Sequence, residues 1–523
     1  MDVPQSTLQH WLRRKEGIDA DPKVVEFFES PEGVAFLHRL VLGAHFVMTL
    51  LGPCGVRLVC TFLEITGLDQ FVASSYGAQR KVTVEVERAS IAYGETEEKR
   101  LSAEMKPKQI TVAEDETFHP QTCLVAIEPV SNYILLEKYV GDRKADTWTE
   151  AMTGAIGDKP ISVIQSTSDE GLGICSHVKN GLGAHHSPDL FHVQHEIVKA
   201  TSGPQASKKR QAEKALMEAT KVLEQEQKEQ EGQQQDSGDA SERFQMAQEM
   251  EKEAKLALET RQNQQQRVQN ANQALSAAYH PYDLETGLSR NAESVSALLE
   301  EQFTEIETVA QQANLSDGSM DRISKAKRVV VHMVATIAFF WLTVRAKIEA
   351  LELTPSVETA AYDHLIPAIY LQLVADKTTD VVQQSKLRQK SDDLLAPLLV
   401  DNGPLQTLDA AEKHVLEDVA RECADLFQRS SSCVEGRNGQ LSLRHHSLHR
   451  LSDRKLAALT IVHNFYLKRS NGTTAAERFF DAKPIDLFEC LLSQVDLPGY
   501  PAMKRSKPQP NDYLLVPSQH LAL

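Results

Sequence analysis

The stretch Ile110–Tyr139, ITVAEDETFHPQTCLVAIEPVSNYILLEKY, constrains the fold more than any other part of the chain. It holds three short apolar runs. Ile110–Phe118 leads into the acidic triplet Glu114-Asp115-Glu116, and His119-Pro120-Gln121 forms a turn. Thr122–Glu128 ends at Pro129, and Asn132–Tyr139 follows. Short apolar runs bounded by Pro, Asn and Ser read as strands rather than helix. Carboxylates on a buried strand are costly unless a cation meets them, and a metal site has this form in sequence. Alternation along the strand puts Glu114 and Glu116 on the face opposite Asp115. Asp115 is therefore the first candidate site residue. The competing reading is a solvated acidic turn.

A second acidic strand end follows. Thr147–Ile156 reads as a helix, Ile161–Thr167 as a strand, and Ser168-Asp169-Glu170-Gly171 comes directly after it. Ser187–Glu196, SPDLFHVQHE, reads as a fifth strand with Asp189, His192 and His195 in or beside it. A third acid, Glu435 in SSCVEG, precedes a basic, His-rich helix carrying Arg437, Arg444, Arg450, Arg454 and Lys455. The segments EDETFHPQTCLVAIEPVSNYIL, SDEGLGICSHVKNGLGAHHSPDLFHVQHE and CVEGRNGQLSLRHHSLHRLSDRKLAALTIVHNFYLKRSNGTTAAERFF resemble bacterial insertion-sequence transposases of the DDE type. The resemblance covers most of the chain and is weakest in the middle.

The resemblance implies an α/β fold: a mixed-sheet, ribonuclease-H-like core with a large all-helical insertion and a helical N-terminal domain. It implies Asp115, Asp169 and Glu435 as catalytic residues holding two Mg²⁺ ions, with Mn²⁺ as a substitute. Glu114 or Glu170 is the alternative ligand at each of the first two positions. The implied activity is metal-dependent cleavage and strand transfer at the ends of an insertion sequence. Double-stranded DNA is then the partner, with a homo-oligomer assembled on it, in the bacterial cytoplasm. The second reading is a non-catalytic DNA-binding or helical scaffold protein derived from a decayed transposase. A chromosome-organising coiled-coil ATPase is a poorer reading, because no GxxxxGK[ST] phosphate loop is present.

The remaining regions fill in the expected domains. Residues 1–105 read as a helical domain. Within it, Val56–Ile65, a turn at Thr66-Gly67-Leu68 and a helix capped by Asp69 form either a helix-turn-helix or an ordinary helical hairpin. In the former, Gln70, Ser74, Ser75, Gln79, Arg80 and Lys81 would face DNA, Arg80 and Lys81 as phosphate contacts. Residues 106–198 are the first part of the core. Residues 199–427 are the insertion, opening with a Gln-, Glu-, Lys- and Ala-rich helical hairpin around Glu231–Ala240 that serves as a dimerisation element or a solvated arm. Residues 428–482 return to the core, and 483–523 form a tail.

Two apolar runs, Gly33–Leu51 and Val329–Val344, are interrupted or short for a membrane span and are expected as core helices. Trp341 is expected in that core, with stacking on a flipped base as the other reading. Seven cysteines without a CxxC pair argue against a zinc ribbon or a disulfide framework and fit a reducing compartment. The N-terminus shows no apolar signal core. A net charge of −17 requires any DNA contact to come from local basic clusters.

Overall fold

The computed structural model describes residues 18–118, 121–232, 238–400, 403–448 and 451–501, with positions 5, 9 and 12 before them. The chain divides into two units, Met1–Met105 with Gly439–Leu523, and Lys106–Asn438. Residues after Asn438 thus belong with the N-terminal helices, not with the sheet as expected. The turn at His119-Pro120, the middle of the predicted arm break, Arg450 and most of the predicted tail lie outside the described residues.

The N-terminal segment of the first unit is helical. It holds α1 (Pro22–Glu29), α2 (Pro31–His45, continued by a wider turn to Leu51), α3 (Val56–Ile65) and α4 (Tyr76–Glu104). Prolines at the first helical positions and the side-chain caps Asp21 and Ser30 set the starts of α1 and α2. Leu37, Val41, Val59, Leu63, Phe71 and Val72 form the core. The turn after α3 uses Gly67 at φ 72°, a left-handed conformation that glycine adopts at little cost. The predicted second helix starts later than expected. Asp69 lies in a short 3₁₀ turn, and Ser75 caps α4 by accepting from the Ala78 N–H at 3.3 Å. Gln79 is buried and accepts from His45 Nε2 at 2.7 Å, so it cannot read a base edge.

The second unit carries β1 (Lys108–Phe118), β2 (Thr122–Glu128), β3 (Tyr133–Val140), α5 (Ala145–Ile156), β4 (Ile161–Ser168), α6 (Leu172–Ser176) and β5 (His185–Pro188). The sheet order is β3-β2-β1-β4-β5. β2 is antiparallel to β1 and β3, while β4 runs parallel to β1 and β5. Pairing of β1 with β4 stops at Ala113–Thr167, whereas β1 continues against β2 to Phe118. Asp115 therefore sits just past the end of its parallel neighbour. On the other face, Glu114 accepts from Ser166 Oγ at 2.7 Å. Glu116 accepts from the buried Trp148 indole at 3.0 Å.

The helices that follow are α7 (Leu190–Gly232), α8 (Gly238–Ala278), α9 (Ala292–Gln312), α10 (Asp317–Arg328), α11 (Val330–Glu349), α12 (Pro355–Ala360), α13 (Ile366–Lys377), α14 (Val381–Leu399), α15 (Ala410–Leu426) and α16 (Ser432–Leu448). Among the described residues from Leu190 to Phe427 the only extended pairing is the bridge between Tyr282 and Ser289. The expected fifth strand at 187–196 ends at Pro188. Leu190, Val193, Ile197 and Ala200 are buried at helical spacing, and the Asp189 carboxylate accepts from the Phe191 N–H at 2.8 Å. The helical part therefore begins at Leu190 rather than at residue 199. The first unit ends with α17 (Asp453–Phe465), α18 (Ala475–Phe480) and α19 (Leu487–Gln494).

The expected α/β class, a ribonuclease-H-like core with a helical insertion, is corrected. The chain is 71% helical and carries one small five-stranded mixed sheet. The reason lies in where apolar side chains go. A large buried cluster runs from Leu190 to Phe427 and is mostly helix packed on helix. The acidic strand ends drew attention to a small fraction of the chain.

By length and composition, Pro31–Leu51 and Asp317–Glu349 are apolar enough to cross a membrane. Leu37, Val41, Met333, Ile337 and Phe340 of these helices lie inside the two cores, and core helices pass the same test.

Candidate functional site

Asp115, Asp169 and Glu435 all belong to the second unit, and the charges of Asp169 and Glu435 both reach Asp115. Asp115 is on β1, Asp169 follows β4, and Glu435 lies in the first turn of α16. All three are half-buried. Burial pushes the Asp115 carboxyl up to about 6, and the charges of Asp169 and Glu435 add to the rise. The Glu116 N–H and His192 oppose it. Asp115 Oδ1 accepts from the Glu116 N–H at 2.8 Å, and Oδ2 accepts from the Asn438 amide at 2.9 Å. His192 Nε2, on α7, is 3.9 Å from Glu435 Oε1 and 3.9 Å from Asp189 Oδ2. His192 Nε2 and Asn438 Oδ1 are buried without a hydrogen-bond partner.

Packing fixes the helix that brings Glu435 here. The Gln428 carbonyl accepts from Gln165, Thr167 and Ser187, which lie on β4 and β5. Asp189 Oδ2 accepts from both the backbone N–H and the hydroxyl of Ser431. One turn into α16, Arg437 makes a two-pronged ion pair with Glu137 of β3, at 2.7 and 2.6 Å. Both side chains are almost fully buried.

That pairing corrects a predicted DNA contact, because a buried guanidinium closed on a carboxylate is not open to phosphate. Three further cations have internal duties in the first unit. Arg444 donates to the carbonyls of Leu50, Leu51 and Gly52 at the C-terminal end of the α2 segment, where a cation is favoured. Arg454 and Lys455 both meet the buried Glu87, at 2.7 and 3.3 Å. Arg80 and Lys81 are exposed on α4. Arg80, Arg454 and Lys455 line a cavity of about 350 Å³ with Tyr76, Glu87 and Ser452.

The flanking acids separate by environment. Glu114 is fully buried, and His177 Nε2 lies 3.4 Å from its Oε1 without hydrogen-bond geometry. Glu170 is exposed and takes His332 Nδ1 at 3.1 Å. Neither bears on Asp115 as Asp169 does. Glu128, at the end of β2, is buried and accepts from the Val130 and Ser131 N–H groups of the turn before β3. Trp341 packs edge-on against Tyr282 and Phe340, and its indole donates to the Arg290 carbonyl at 2.8 Å. One edge of it borders a cavity of about 590 Å³ that Arg345 and Tyr362 also line. Asp189 and His192 stand with His195 in the sequence as possible metal or DNA contacts, whereas Asn438 is a residue that the sequence reading missed. Its signal is its place three residues from Glu435 and so on the same helical face.

A raised carboxyl pKa has a sign. Folding favours the protonated form, so the contribution of Asp115 to stability is present at acid pH and is lost as pH rises through about 6. Asp115→Asn should raise the melting temperature at about pH 8 without divalent cations, by the equivalent of about 1–3 kcal/mol, and leave it unchanged near about pH 4. The unpartnered Asn438 Oδ1 can accept from the new amide after a flip. Thermal unfolding across pH checks this, and no gain at alkaline pH would contradict it.

A family model described as "Family of unknown function (DUF6399)" matches residues 361–507, a span that contains Glu435 but neither Asp115 nor Asp169. No curated protein matches the chain.

Proposed function

We propose that the chain is a DDE-type transposase of a bacterial insertion sequence, cutting and joining DNA strands with Asp115, Asp169 and Glu435 as its catalytic carboxylates. One observation carries the reading. Three acids from widely separated parts of the sequence act electrostatically at one place, and Asp115 is held up to about 6 there. Perturbed carboxyl groups of this kind cluster at functional sites. The donor set suits Mg²⁺, which prefers carboxylate oxygens, and Asn438 Oδ1 and His192 Nε2 are buried there without a hydrogen-bond partner. Two bound Mg²⁺ ions, or Mn²⁺ in their place, would supply activation of a water or a 3′-hydroxyl and stabilisation of the leaving oxygen.

The chain's own residues do the rest. Asn438 orients Asp115, and Asp189 pins Ser431 at the start of the helix that bears Glu435. The Arg437–Glu137 pair locks that helix against β3. Within the first unit, the exposed Arg80 and Lys81 would offer electrostatic contacts to DNA phosphates that do not read its sequence. In this reading the long polar hairpin of α7 and α8 serves assembly of copies on DNA. The protein would work in the cytoplasm, where its seven cysteines, all free, stay reduced.

Mn²⁺ binding by the purified full chain, followed by electron paramagnetic resonance, tests the site, and nicking of supercoiled plasmid tests the activity. Binding that is lost in Asp115→Ala, together with metal-dependent nicking, is the expected result. Failure of wild-type protein to bind Mn²⁺ would overturn the reading and favour a non-catalytic scaffold.

A further inference from the structure

Beyond the C-terminal end of β4 and along β5 lies a second cluster, with a different chemistry. Glu170 follows β4, Cys175 is on α6, and His186 is on β5. One ligand atom from each lies within 4.8 Å of the others. Cys175 Sγ is 3.7 Å from His186 Nε2. A tetrahedral zinc with Zn–S of about 2.3 Å and Zn–N of about 2.0 Å places its sulfur and nitrogen ligands about 3.6 Å apart. The two atoms are therefore already at the separation such an ion imposes. Glu170 is oriented by His332 Nδ1, at 3.1 and 3.2 Å from its two oxygens. This is the support that ligating groups commonly receive from a neighbour beyond the metal.

We propose that Glu170, Cys175 and His186 form a zinc site separate from the carboxylates of Asp115, Asp169 and Glu435. A thiol and an imidazole beside one carboxylate select a thiophilic ion rather than Mg²⁺. Three protein ligands leave a fourth position for water. Binding displaces the thiol proton and requires the His186 tautomer with its proton on Nδ1. It also displaces the 2.9 Å contact between His186 Nε2 and Ser168 Oγ, whose hydroxyl keeps its bond to the Asp169 carbonyl. The consequence is structural. A bound zinc ties the Asp169–Gly171 loop to α6 and β5, and so holds Asp169 in place. Its importance for cleavage rests on the function proposed above, whereas the zinc site does not.

The test is Co²⁺ substitution in the metal-free full chain, read by optical absorption. Wild-type protein should take up one Co²⁺ with intense tetrahedral bands and a thiolate-to-cobalt charge-transfer band, and excess Mg²⁺ should not remove them. Cys175→Ser should lose the charge-transfer band, and His186→Ala should weaken zinc binding by at least about 100-fold. Circular dichroism of each variant shows whether it is folded. Asp115→Asn should bind Co²⁺ as wild type does, which separates this site from the catalytic one. No charge-transfer band in wild type, or a band that persists in folded Cys175→Ser, would overturn the proposal.

Discussion

Asp115→Ala, Asp169→Ala and Glu435→Ala should each lower metal-dependent strand cleavage by at least about 10³-fold and leave DNA binding within about threefold of wild type. The argument is a division of labour. In the proposed function the carboxylates would hold the ions that polarise the phosphate, so removing one would withdraw a ligand. Binding comes from cations meeting backbone phosphates, and loss of a negative charge beside DNA leaves non-specific affinity equal or slightly higher. The anchors of α16 are Arg437, Ser431 and the Gln428 carbonyl, not Glu435 itself, so Glu435→Ala should keep the helix seated. Gel shifts and nicking on the same preparations give both readouts. Cleavage at the wild-type rate in Asp169→Ala would reject the mechanism. Joint loss of binding and cleavage would mean that the acids hold the fold, and would favour a scaffold.

The sheet was legible at Ile110–Tyr139 because Pro129, Asn132 and the turn before Thr122 punctuate β-branched and aromatic runs too short for helix. The step from strand to helix at Asp189 was not. SPDLFHVQHE has enough apolar residues for either period, and only Ile197 and Ala200, beyond its end, extend the helical spacing. The class was misjudged for a related reason: acids at strand ends stand out, whereas an ordinary helical core has no single conspicuous residue.

The three acids stand out in the sequence because two of them follow strand-like runs and the third opens a basic helix. Their surroundings do not stand out in the same way. Asp189 and His192 lie more than 240 positions from Glu435 in sequence, and packing sets them beside Ser431 and Glu435. The basic helix misled in the opposite direction. Arg444, Arg454 and Lys455 looked free for phosphate, yet their partners are backbone carbonyls at Leu50–Gly52 and the buried Glu87, far upstream.

Arg437→Met should destabilise the protein by about 3–5 kcal/mol, the usual consequence of leaving one partner of a buried ion pair alone. Arg437 and Glu137 are 4% and 0% exposed at their side chains, so water cannot solvate the carboxylate left behind. Their two parallel bonds, at 2.7 and 2.6 Å, join α16 to β3 across 300 residues of sequence. The loss should therefore also reach Asp115, through Asn438 on the next residue. Replacing both partners by apolar groups, as Arg437→Met with Glu137→Leu, removes both buried charges and should recover most of the stability. Chemical denaturation of the two single variants and the double variant completes the cycle. A phosphate-binding role for Arg437 predicts instead that Arg437→Met weakens DNA binding at unchanged stability, and that result would overturn the structural assignment. Because the pair seats the helix bearing Glu435, the double variant further separates stability from geometry. It should fold and bind DNA, yet cleave more slowly than wild type where the apolar pair lets α16 shift.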